Sequence, residues 1–162
     1  MHKEFSATTS ASPTDLFAVV GNLETYPTWL DVVDSVERTE DGNAWIVTLR
    51  ARVGPFARSK RLRMIRTVLT EPPTAERPAS VRFERAETDG KEHSTWTLAA
   101  DVAEVADAAG GSEASEVRLD LHYDGAMWTG LLDGVLNAAA DRATDKLREY
   151  VDNTHNRSGS DR

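Results

Sequence analysis

Few residues in this chain have the type and spacing for catalysis. Four histidines stand at positions 2, 93, 122 and 155, and no pair has the spacing of a metal site such as His-Glu-x-x-His. His122 falls on the outward side of its strand beside Asp120 and Asp124, His93 lies near a turn, and His2 and His155 lie near the ends. Cysteine is absent, which removes disulfides, thiolate nucleophiles and cysteine-type zinc sites. There is no Gly-x-Ser-x-Gly elbow, no P-loop and no Gly-x-Gly-x-x-Gly run. Acidic residues are plentiful, but none sits within an apolar strand face, where burial would raise its pKa for general-acid work. Tyr26 and Tyr123 carry transferable protons without a spacing that marks them as catalytic. Arg85 differs, because it closes the alternating inward set Val81, Phe83, Arg85. An inward guanidinium keeps its charge and needs an acceptor. It could hold a carboxylate, enolate or phosphate of a ligand, or extend its head into water at the strand end.

What the chain has in quantity is apolar side chains at regular spacing. A period of two places Val47, Leu49 and Ala51, then Val81 and Phe83, Trp96 and Leu98, and Leu119, Leu121 and Tyr123 on one side of successive strands. A period of 3.6 adds Trp128, Leu131, Leu132, Val135 and Leu136 from a late helix. The candidate ligand-contacting residues are therefore Leu49, Phe83, Arg85, Trp96, Leu98, Leu121, Tyr123, Trp128, Leu131, Leu132 and Val135. Packed core explains each of them as readily as a cavity wall does. Trp96, Tyr123 and Trp128 are the stronger candidates, since each has a polar tip that prefers a partner or a wet pocket. Gly130 and Gly134 share a helix face, at a cost of roughly 1 kcal/mol each relative to Ala. Either a strand approaches closely there or a ligand needs the room.

These side chains need elements to position them. Residues 3–10 alternate as a strand. Ser12, Pro13 and Asp15 then open a short helix as N-cap, first helical residue and first-turn acid, and Gly21 ends it. Asn22 caps a second short helix that Pro27 interrupts near Tyr26 and Trp29-Leu30 closes. Six strands follow, divided by Asp41-Gly42-Asn43, Gly54-Pro55, the prolines at 72, 73 and 78, Asp89-Gly90 and a low-complexity stretch at 104–116 that reads as a long hairpin loop. The strand at 58–70 leaves its register open: either Leu62, Met64, Arg66 and Val68 face inward, or Arg63, Ile65, Thr67 and Leu69 do. The stripe Trp128, Leu131, Leu132, Val135, Leu136, Ala139, Ala143, Leu147, Tyr150 and Val151 predicts one long helix ending near Asp152. The fold class is α+β: a helix-grip fold, with a seven-stranded curved antiparallel sheet around the C-terminal helix and two short helices after the first strand. Residues 1–153 form one domain, and 154–162 read as a disordered polar tail.

Charge and composition bound the partners. Apolar residues are 40% and charged residues 28%, with a net charge of −8 that argues against general nucleic-acid binding. Between Trp45 and Thr70 the balance reverses, with Arg50, Arg52, Arg58, Lys60, Arg61, Arg63 and Arg66 and no acid. That basic hairpin reads as a solvated outer face or, failing that, as a contact for an acidic partner or membrane surface. The first residues have no signal-peptide pattern and no run reaches ~20 apolar residues, so no stable membrane insertion and a cytoplasmic location are expected. The oligomeric state is not encoded legibly.

The order of elements resembles the START-related, or SRPBCC, superfamily, with its polyketide cyclase/dehydrase and lipid-transport members. The resemblance spans residues 5–152 and rests on Ser12-Pro13, Tyr26-Pro27-Thr28-Trp29-Leu30, Val53-Gly54-Pro55-Phe56 and the terminal helix. The Tyr-Pro-x-Trp run is its most specific marker. The Gly-Pro turn is similar to the carbon-monoxide-dehydrogenase-associated branch of the superfamily. The resemblance implies an interior cavity for an apolar small molecule or lipid, with no cofactor. It does not imply one function. A polyketide aromatase/cyclase-like enzyme using Arg85 or a tyrosine to stabilise an enolate is one alternative. A toxin-like or regulatory interaction protein using the basic hairpin is another.

Overall fold

The computed structural model describes residues 1–106, 113–125 and 129–159. Strand β1 (His2–Thr9) leads into α1 (Pro13–Val20), a single 3-10 turn (Leu23–Thr25) and the four-residue α2 (Tyr26–Trp29). Strands β2 (Val33–Arg38), β3 (Ala44–Val53), β4 (Phe56–Leu69), β5 (Ala79–Arg85), β6 (Trp96–Ala106) and β7 (Glu113–Tyr123) follow, and α3 (Thr129–Gly159) closes the chain. The strands form one sheet in the order β1-β7-β6-β5-β4-β3-β2, and each neighbouring pair is antiparallel. Strand twist curls such a sheet, and bulges between Val33 and Ser35 in β2 and between Arg66 and Val68 in β4 bend it further. The helix-grip arrangement expected from the periodicities is the one observed.

The local signals act as their chemistry requires. The Ser12 hydroxyl accepts from the Asp15 N–H at the start of α1, and the Asn22 side chain accepts from the Glu24 N–H. Gly54 takes a φ of +57°, which allows the two-residue turn between Val53 and Phe56. Thr9 and Ser115 are buried, and their hydroxyls satisfy each other, the Ala11 N–H and the Ala11 carbonyl. This network locks the exit of β1 to β7.

Three expectations change. The stretch at 104–116 is mostly strand, with pairing that runs out to Ala106 opposite Glu113. The buried Ser115, on the same face as Val117, supplies an inward position that the low-complexity composition conceals, and only 107–112 lie outside the described residues. Asp89-Gly90 does not close a tight hairpin, because β5 ends at Arg85 and β6 starts at Trp96, leaving 86–95 as a connection. Helix α3 continues to Gly159 rather than stopping near Asp152, so residues 154–159 are helical. Packing of α3 ends at Val151, 1% exposed, and the last turns propagate along the backbone beyond it.

Helix α3 lies across the concave face. Ala139, Ala143, Leu147 and Val151 are sealed beneath it. Polar clamps hold its C-terminal half. Asp31 accepts from Lys146 Nζ at 2.5 Å and Arg142 Nε at 3.1 Å, and Arg148 Nε donates to the Thr8 carbonyl at 2.6 Å.

Candidate functional site

Between the sheet, α2 and α3 lies an apolar hollow of about 60 Å³. Its wall is built from every layer: Phe5 of β1, Tyr26 of α2, Val47 and Leu49 of β3, Leu62 and Met64 of β4, Trp96 and Leu98 of β6, Leu121 of β7, and Leu136 and Ala140 of α3. A water occupies roughly 10–15 Å³ by such a measure, and a cavity of about 150 Å³ accepts benzene. The hollow is therefore larger than a packing defect and smaller than an aromatic ring requires. Its leucines and Met64 are side chains that repack readily.

The floor is made by the Tyr-Pro-x-Trp run. Tyr26 and Trp29 are fully buried, with ring centroids 4.4 Å apart, and Tyr26 meets the edge of Phe83 at 6.5 Å. The Tyr26 hydroxyl donates to the Val20 carbonyl at 2.8 Å. Burial pushes its pKa far above the usual phenol value. That proton is held by the Val20 carbonyl. The Trp29 indole donates to the Thr25 hydroxyl at 3.3 Å, and Thr25 in turn donates to the carbonyls of Val19 and Asn22. The signature ties the short helices together and turns the chain onto the sheet.

Trp96 behaves differently. It is 4% exposed, lines the hollow, and its indole N–H has no hydrogen-bond partner among the described residues. A buried donor left unpaired costs about 1–3 kcal/mol. Trp45 has the same deficit among the described residues, with the guanidiniums of Arg38 and Arg66 5.2 and 5.7 Å from its ring.

The structure distributes the remaining candidates. Leu49, Trp96, Leu98 and Leu121 meet at the hollow. Phe83 is wholly buried behind it, edge-on to Trp45 at 5.8 Å. Tyr123 packs on Trp96 at 4.5 Å, beside the wall rather than in it. Val135 and Gly134 line a shallow outer cleft with Asp31, Asp34, Arg50, Arg52 and Arg142. No atom lies within 4 Å of where a Gly134 side chain would begin, so neither a close strand nor the hollow accounts for that glycine. Trp128 lies outside the described residues, as do the side chains of Leu131 and Leu132.

Arg85 is inward and 8% exposed, but its donors are engaged by the protein. Nε donates to Glu87 at 2.7 Å, Nη1 to the Ser94 carbonyl and hydroxyl at 3.2 and 3.1 Å, and Nη2 to His93 Nδ1 at 3.1 Å. Arginine only donates, so His93 Nδ1 accepts and Nε2 carries the proton given to Asp89 at 2.9 Å. The His93 hydrogen bond, with the Lys91 N–H, holds the Asp89 carboxyl below the usual range. Arg85 thus pins the 86–95 connection at the end of the sheet.

Strand β4 settles its register with Leu62 and Met64 inward, until the bulge after Arg66. On that register Lys60 also faces inward, which the sequence concealed within a run of basic residues. Its ammonium lies 5.7 Å from the Trp96 ring, 5.3 Å from the Tyr123 ring and 3.3 Å from the Ser94 hydroxyl. Burial, then the neighbouring Arg85, lowers its pKa, with Glu87 opposing. The rest of the hairpin matches the solvated reading in part: Arg50 meets Asp34 at 3.8 Å and Arg61 meets Glu37 at 4.0 Å. Among the described residues no acidic or histidine cluster could hold a metal, and no helix is long and apolar enough to cross a membrane.

A helix-grip sheet closed over an apolar hollow is matched by one family model, described as polyketide cyclase / dehydrase and lipid transport, over residues 2–152. The chain belongs to that family. Solved structures agree on the fold. A START superfamily protein from Mycobacterium smegmatis superposes with a TM-score of 0.60 at 12% identity, over 94% of this chain and 98% of that one. A conserved protein from Geobacillus kaustophilus gives 0.62 at 8% identity, over 95% and 97%. One from Deinococcus radiodurans gives 0.56 at 16% identity, over 95% and 97%. At these identities the likeness concerns architecture alone. No curated protein matches the chain. Members of a polyketide cyclase and lipid-transport family share a ligand-binding fold, and this chain has that fold with its own wall residues.

Proposed function

We propose that the protein binds an apolar small molecule or the apolar part of a lipid in the hollow between the sheet and α3. The observation that carries this reading is a hollow walled by Leu49, Leu62, Leu98 and Leu121 beside a buried indole N–H, on Trp96, that has no partner among the described residues. Apolar walls supply affinity at about 25 cal/mol per Å² of surface removed from water, before ordering costs. A single convergent donor orients the ligand. Family and fold support a ligand-binding fold. The engagement of Tyr26 and Arg85 favours binding over chemistry, since the hydroxyl and the guanidinium best suited to stabilise an enolate are held by Val20, Glu87, Ser94 and His93.

At about 60 Å³ the hollow must widen to take a ligand larger than a few heavy atoms. The clamps of Asp31 on Lys146 and Arg142 fix the C-terminal half of α3, so widening belongs to the wall leucines, Met64 and the start of the helix. Native mass spectrometry of freshly purified protein, followed by thermal shift across apolar and aromatic compounds, tests the reading. Bound mass or a stabilisation of several degrees is expected. Absence of both contradicts it.

A further inference from the structure

Lys60 follows Leu62 inward along β4 and pairs with Leu49 across the strand boundary, and both leucines line the hollow. Its ammonium lies over the faces of Trp96, which lines the hollow, and of Tyr123, which stands beside it. A cation over two aromatic rings is favourably placed, but its hydrogen bonding is thin: one contact of 3.3 Å to the Ser94 hydroxyl. Among the described residues no carboxylate lies within ion-pair distance of it. The carboxylate that acts on it, Glu87, is already held by Arg85 Nε and the Arg63 backbone N–H. Lys60 and Arg85 thus share one carboxylate that is already engaged, which leaves the charge of Lys60 unmatched. A half-buried ammonium that keeps no carboxylate of its own is otherwise an expense without a structural return.

We infer that the ligand is an amphipathic carboxylate, with its apolar body in the hollow and its anionic head on Lys60. The inference rests on the binding function proposed above and names the ligand class. Lys60 suits the head because an ammonium accepts a carboxylate from several directions without a fixed fork. The aromatic rings beneath it exclude water from one side and so strengthen the pair.

Calorimetric titration of octanoate and 1-octanol into the full chain tests this, with Lys60→Met removing the charge and Lys60→Arg retaining it. Octanoate is expected to bind about tenfold more tightly than octanol, as one charge-assisted hydrogen bond allows. That preference should vanish in Lys60→Met and persist in Lys60→Arg. Should Lys60→Met fold poorly, the Lys60 ammonium resonance of the unmutated protein gives the answer: octanoate should shift it and octanol should not. Equal binding of acid and alcohol, a preference that survives Lys60→Met, or an unmoved Lys60 resonance overturns the inference while leaving the hollow as a binding site. Binding of neither compound overturns both.

Discussion

Tyr26 and Trp29 pack with ring centroids 4.4 Å apart and planes tilted by 47°, and each gives its polar hydrogen to the segment that precedes it, to Val20 and Thr25 respectively. This pair makes the short helices a fixed floor for the hollow, although neither helix is long enough to be stable alone. Trp29→Ala should cost about 3–5 kcal/mol in urea unfolding. Tyr26→Phe keeps the ring and strands the Val20 carbonyl, at about 1–3 kcal/mol.

Two glycines should respond oppositely. A side chain begun at Gly125 would lie 1.9 Å from the Tyr123 hydroxyl oxygen, and that ring is buried against Trp96 and cannot yield. Gly125→Ala should therefore destabilise by about 1–3 kcal/mol. Gly134 sits on the exposed face of α3 with open space around it, so Gly134→Ala should stabilise by up to about 1 kcal/mol. Thermal unfolding of both variants checks the pair.

Asp31 is held below the usual carboxylate range, first by the Lys146 hydrogen bond and then by that from Arg142. A carboxyl with a depressed folded-state pKa stabilises fully above its unfolded pKa of about 3.9 and loses that contribution as pH falls through the folded value. Its side chain is 37% exposed, so solvent screening limits the effect to about 1 kcal/mol. Asp31→Asn should lower stability at pH 7, and the difference from the unmutated protein should shrink as pH falls below about 3.9. A difference that grows on acidification contradicts this.

The architecture was legible because nearly every strand carries its own signal. Val117, Leu119 and Tyr123 alternate inward, and the 3.6-residue stripe of α3 has one partner surface large enough to cover it. The hollow was legible less evenly. Leu49, Trp96, Leu98 and Leu121 follow from alternation alone, whereas Phe83 and Tyr123 obey the same alternation and are simply core or its neighbour. Alternation gives the face of a side chain, not whether the opposite layer reaches it. Lys60 was missed because a basic residue in a basic run reads as surface, and only the pairing of Leu49 with Lys60 reveals the face it occupies. The closure of Arg85 was hidden for a related reason: Glu87, His93 and Ser94 belong to a connection whose path no periodicity describes.

Filling the hollow should separate stability from binding. Leu98→Phe adds a ring into a space with about 60 Å³ to spare, so the fold should lose less than about 1.5 kcal/mol. Binding of octanoate should fall at least tenfold. Undiminished binding would place the ligand elsewhere.

Carbon-13 methyl NMR during titration with octanoate reads the central claim directly. The shifts should concentrate on the methyls of Leu49, Leu62, Leu98, Leu121 and Leu136, with the exposed Val68 and Leu69 unmoved. Shifts confined to Val68 and Leu69, or none at saturating ligand, would contradict an interior site.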